Sequence, residues 1–215
     1  MTPRPRFRPL QWGLVFSGVL LLGLWARTEL AARHYQQAES AQLDAALSRE
    51  VPGLEVAAVR EVATARSGGG QSTADPGRVL GRLEIPRLRI SAMVAEGVDA
   101  STLGRAIGHV TSTALPGSPG NCALAGHRDT FLHGLGNVRV ADTIRIVTRD
   151  CTYLYQVEWT RVVGPRRIDV LEPTPGRRVT LITCYPFRYI GPAPNRFIVR
   201  ARLVDDGTTM QAGGS

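Results

Sequence analysis

Beyond position 78 the chain runs in short alternations of apolar and polar residues, with turn residues between them. Val79–Ile85 and Leu88–Val94 flank Pro86. Asn121–Ala125, Asp142–Thr148, Tyr153–Val163, Arg178–Thr183 and Arg196–Val204 follow. A period of two over such short spans marks half-buried strands. Ala100–Gly108 breaks the pattern and predicts a short helix. Short strands with turns between them predict a mainly β domain, a sandwich or a barrel.

The first part of the chain has a different pattern. Leu10–Ala26 is apolar except for Gln11 and Ser17, and Arg4, Arg6 and Arg8 precede it without an acid. Seventeen helical residues span roughly 25 Å, near the lower limit for crossing a bilayer. The arginines favour a cytoplasmic N-terminus. A cleaved signal peptide would have a shorter apolar core and an A-x-A site, so an uncleaved anchor is the expectation. Thr28–Glu50 is rich in helix formers and ends at Pro52-Gly53, which predicts a helical stalk. Ser67-Gly68-Gly69-Gly70-Gln71-Ser72 reads as a flexible linker. The expected organisation is a basic N-terminus (1–9), an anchor (10–26), a stalk and linker (27–77), a folded domain (78–206) and a disordered tail (207–215).

Composition narrows the function classes. The formal net charge is +8, and all 26 basic residues are arginine. They are scattered, without a basic helix or an aromatic RNA signature, so nucleic-acid binding is not expected. Cys122, Cys151 and Cys184 form no disulfide framework and no C-x-x-C pair. Cys122 and Cys151 read as small buried residues, with a bridge between them as the alternative. No calcium-type carboxylate spacing occurs, so neither a metal nor a cofactor is expected.

The candidate chemistry sits at strand ends. In Val179–Cys184, the residues Val179, Leu181 and Thr183 share one face, and Thr180, Ile182 and Cys184 share the other. In the last run Phe197, Val199, Ala201 and Leu203 face the core, opposite Arg196, Arg200 and Arg202. Cys184 and Arg196 then point outward into a common groove, where a reactive thiol belongs. His127 follows a third apolar run. Such a set suits acyl transfer: the thiolate attacks, the imidazole shuttles the proton, and the guanidinium holds the oxyanion. Asp129 could orient the imidazole or serve a turn. Arg128 reads as a surface charge, and His34 and His133 as solvent-exposed. Asp75-Pro76-Gly77 reads as a plain turn. Ile182, Tyr185, Tyr189 and the Gly191–Pro194 stretch are expected to shape the groove.

The segments TLITC, AGHRDTF and NRFIVRA resemble those of the sortase family, and TLITCYPF with GPAPNRF is most similar to class D. GRLEIPRL and TALPGSPGN fall in the expected order. The resemblance implies a closed β-barrel of about eight strands with one or two short helices. It also implies a membrane-anchored cysteine transpeptidase on the outer face of the cytoplasmic membrane. Its substrates would be exported proteins with a C-terminal LPxTG-like sorting signal, cleaved between threonine and glycine through a thioacyl enzyme. The acceptor would be an amine of peptidoglycan or a pilin lysine. On matching positions His127, Cys184 and Arg196 would be catalytic, with Thr183 supporting them, and His109 would position a turn. Two other readings stay open. An L,D-transpeptidase would carry arginine two residues after Gly-Cys, where Pro186 stands here, and an exported papain-like peptidase would start a helix at its cysteine, which Pro186 opposes. A non-enzymatic barrel on a stalk is the third.

Overall fold

A computed structural model describes residues 8–48, 75–189 and 191–205. The Pro52-Gly53 stop, the glycine-rich linker, the first seven residues of the basic N-terminus and the tail lie outside the described residues.

Eight strands form a closed barrel: β1 (Val79–Ile85), β2 (Ile90–Glu96), β3 (Ile107–His109), β4 (Gly120–Ala125), β5 (Thr143–Val147), β6 (Thr152–Val163), β7 (Arg177–Tyr185) and β8 (Asn195–Asp205). Their order around the barrel is β1-β2-β3-β4-β7-β8-β6-β5. The pairs β2–β3 and β4–β7 are parallel and the rest antiparallel. Closure leaves no free sheet edge. β1, β4, β6 and β7 therefore finish at one end, where β2, β3, β5 and β8 begin. Inward positions fill the lumen: Leu83, Ile85, Leu124, Ile144, Ile146, Tyr155, Val179, Leu181, Val199 and Ala201 are all buried.

Strand β3 replaces the second half of the expected helix. The helix α2 spans only Ala100–Leu103. Asp99 caps it by accepting from the N–H groups of Ser101 and Thr102. The next residues extend and pair with β2 and β4. Gly108 is required there, because a Cβ at that position would collide with the Gly97 carbonyl.

The helix α1 (Arg8–Ser48) is continuous through the apolar segment and the expected stalk. It contains a stretch long and apolar enough to cross a membrane. Its second half lies on the barrel. Tyr35, Leu43 and Leu47 recur on one face and cover Met93, Val147 and Val79. Gln36 accepts from the Met93 N–H (2.8 Å) and donates to the Arg105 carbonyl (2.6 Å). Arg82 donates to Ser40 (2.7 Å) and Asp44 (2.9 Å).

Candidate active site

β7 and β8 run side by side, with Cys184 opposite Arg196 in the register. Thr183 is 2% exposed and faces inward, so Cys184, the next residue, faces outward and is half-buried. Arg196 is half-buried beside it, and its Nη1 donates to the carbonyls of Ala193 (3.2 Å) and Asn195 (2.9 Å).

His127 comes from the adjoining strand. β4 and β7 pair in parallel, up to Ala125 opposite Ile182. Two residues further, the same register would set His127 level with Cys184. The backbone holds that extension: Gly126 N–H donates to the Ile182 carbonyl (3.1 Å), and Thr183 Oγ1 donates back to the Gly126 carbonyl (2.8 Å). Thr183 thus joins the strand end that carries the thiol to the one that carries the imidazole. His127 itself is exposed.

The expected groove residues fall on two sides. Ile182 is half-buried on the outer face with Cys184. Tyr185 turns the other way, into an aromatic cluster with Phe187 (centroids 6.0 Å apart) and Phe197 (6.2 Å). Tyr189 is exposed in the β7–β8 loop.

Arg128 differs most from expectation. It is only 9% exposed, not a surface charge. Its guanidinium donates to the carbonyls of Pro186 (2.7 Å) and Tyr189 (2.7 Å) and lies over the Tyr189 ring, 6.0 Å from the centroid. Asp129 accepts from Arg128 Nε at 3.2 Å. The residue after His127 therefore clamps the loop between Cys184 and Arg196. Its only sequence signal is that adjacency. Arg128→Met should remove charged hydrogen bonds from a buried site and cost roughly 2–3 kcal/mol, read by denaturant unfolding. Arg128→Lys should recover little of this, because one ammonium cannot reproduce the fork that holds two carbonyls.

The other candidates have plain structural roles. His109 is buried, with Nδ1 3.0 Å from Glu96 and Nε2 3.0 Å from the Ala114 carbonyl. Asp75-Pro76-Gly77 is a turn with Gly77 at φ 84°. His34 and His133 are exposed. All three cysteines are free. Cys122 faces the lumen, and burial first, then Glu96, pushes its thiol far above the ordinary range. Cys151 sits half-buried in the β5–β6 hairpin, at the opposite end of the barrel from Cys184.

A closed barrel whose adjoining strand ends carry a cysteine, an arginine and a histidine defines a known class of β-barrel proteins. The sortase-domain family model matches residues 83–204. The chain belongs to the sortase family. It is 30% identical to sortase D of Bacillus subtilis (strain 168) over 131 residues, covering 60% of this chain and 66% of that protein. It is 29% identical to sortase SrtE1 of Streptomyces coelicolor over 199 residues, covering 80% of this chain and 51% of that one. The chain thus spans about half to just under two thirds of these relatives' length. Clostridium perfringens sortase C, solved with the C-terminal cell wall sorting motif, superimposes with a TM-score of 0.56 at 27% identity, covering 62% of this chain and 74% of that one.

Proposed function

We propose that this protein is a membrane-anchored cysteine transpeptidase. On this reading it cleaves an LPxTG-like sorting signal of exported proteins and passes the acyl group to an amine of the cell envelope. The observation that carries it is the pairing of Cys184 with Arg196, with Gly126 and Thr183 locking the His127 strand end beside them. Family membership supports the reaction type, and the structure of the C. perfringens relative with a sorting motif supports the substrate class.

The Cys184 thiolate attacks the threonine carbonyl of the signal. An oxyanion forms and the Arg196 guanidinium stabilises it. The carbon–nitrogen bond breaks, and the glycine amine leaves with a proton from the His127 imidazolium. A thioester to Cys184 remains. The acceptor amine attacks it and loses its proton to His127, and the thiolate departs. Thr183 holds the two strand ends in register. Asp129 acts through Arg128, and Arg128 through the loop. Ile182 and Tyr189 line the path of the signal, and Tyr185 supports it from beneath. The apolar part of α1 is the anchor, with the barrel on the outer face of the cytoplasmic membrane.

The test uses the full chain in detergent with fluorogenic LPxTG-type peptides and an added amine. The expected result is cleavage with an amine-ligated product. Cleavage that yields only the hydrolysed acid at saturating amine would make it a peptidase instead, and no turnover of any such peptide would reject the substrate class.

A further inference from the structure

The end of the barrel that carries Cys184 and the membrane end of α1 are on the same side of the molecule. β7 finishes where β2 begins. At that beginning Leu88, Arg89, Ile90 and Ser91 face Ala32 and Arg33 of α1 across a groove of about 600 Å³. Further along α1, Gln36 meets Met93, and Leu43 meets Met93 and Val147. Glu39, Gln42 and Leu43 then reach Val79 and Leu80, where β1 starts at the far end. The helix therefore descends from the Cys184 end to the opposite end, and its apolar segment projects beyond the Cys184 end. Arg33 lies seven helical steps beyond Ala26, roughly 10 Å along the helix.

We propose that α1 is a fixed strut that holds the Cys184 end of the barrel facing the bilayer. This rests on the reading of α1 as the anchor. A loosely tethered domain would tumble, but α1 is pinned at four side chains: Gln36, Ser40, Leu43 and Asp44. The barrel order puts two strands between α1 and the β7–β8 pair on either path, so Cys184 opens on the side away from the strut. A chain emerging from the same membrane can enter there without meeting α1. The exposed arginines on this end, Arg33, Arg89, Arg139 and Arg188, suit anionic lipid headgroups. Of the acids at this end, Asp142 is paired with Arg87 and Asp129 with Arg128, while Glu29 lines the groove beside Arg33 and Arg89, so among the described residues the arginines outnumber the unpaired acid. The partner this end fits is the bilayer surface itself, and its substrate is a segment presented within a few turns of helix from that surface.

The test is a distance measurement on the full chain in phosphatidylcholine–phosphatidylglycerol nanodiscs with a headgroup acceptor dye. Donors go at Ser91→Cys or Ser118→Cys in a Cys184→Ala, Cys151→Ser background, where buried Cys122 stays unlabelled. A strand like β1 separates the two barrel ends by roughly 20 Å, enough for energy transfer to resolve. Higher transfer from position 91 than from 118 is expected, and Gln36→Ala with Arg82→Ala should narrow the difference. Equal or reversed transfer would overturn the strut. In enzyme with Cys184 intact, the same pair of substitutions should leave cleavage of soluble peptide unchanged and slow a bilayer-tethered peptide roughly tenfold, through lost effective concentration. An equal rate on both would also overturn it. If no peptide is cleaved at all, the proposed reaction fails while the transfer measurement still decides the orientation.

Discussion

Cys184→Ala should abolish both cleavage and ligation of an LPxTG-type peptide, a loss of at least ~10⁴-fold, because a covalent mechanism has no detour around its nucleophile. The barrel should be unaffected, since Cys184 is half-buried on the outer face and contributes nothing to the lumen. The variant separates chemistry from folding in a way few core changes could. Neither remaining thiol can substitute. Cys122 is sealed in the lumen with its thiol pushed up by burial, and Cys151 lies at the other end of the barrel. Intact-mass spectrometry of the wild type with peptide and no amine should find the acyl adduct on Cys184. Turnover that survives Cys184→Ala, with an unchanged unfolding midpoint, would sink the mechanism.

Much of this site was readable from alternation alone. With Val179, Leu181 and Thr183 taken as the core face, Cys184 falls on the outer face, as the structure has it, although Thr180 on that outer face is buried too. The same parity in β8 put Arg196 on the same side. A period-two pattern carries that information because a one-residue slip would expose the whole core face. β3 was not readable: three residues are too few to display a period, and the Asp99 cap ahead of them starts a real helix that simply stops early. Arg128 was not readable either, since its burial comes from a loop folding over it, and no local pattern encodes that.

The docking of α1 had a different obstacle. Its helical character was plain from composition, but its contacts fall on Met93, an outward position of β2. An apolar residue there reads as an ordinary strand residue until the helix is seen on top. A domain boundary near position 78 describes where β1 begins. It does not describe where the packing ends, because Leu43 is as buried as the barrel lining.

Arg196→Ala should lower kcat/KM by roughly 10²–10³, the usual loss when one preorganised donor to an oxyanion is removed. Most of that should fall on kcat, because the charge it meets exists only in the transition state. The structure supplies the reason to expect preorganisation. Among the described residues, the guanidinium is engaged only through Nη1, on the carbonyls of Ala193 and Asn195. That anchors one corner of the planar group of the residue that pairs with Cys184 in the register, and in the proposed reaction Nε and Nη2 would be the donors to the oxyanion. Arg196→Lys tests this directly: an ammonium keeps the charge but cannot both hold the loop carbonyls and present two fixed donors. It should recover only a small part of the lost rate. Full activity in Arg196→Lys would reduce the residue to a point charge, and full activity in Arg196→Ala would remove it from the reaction. Because Arg128 holds the Pro186–Tyr189 part of the same loop, Arg128→Met combined with Arg196→Ala should be less than additive in kcat/KM. That result would mean that Arg128 also serves to keep Arg196 at the proposed oxyanion position.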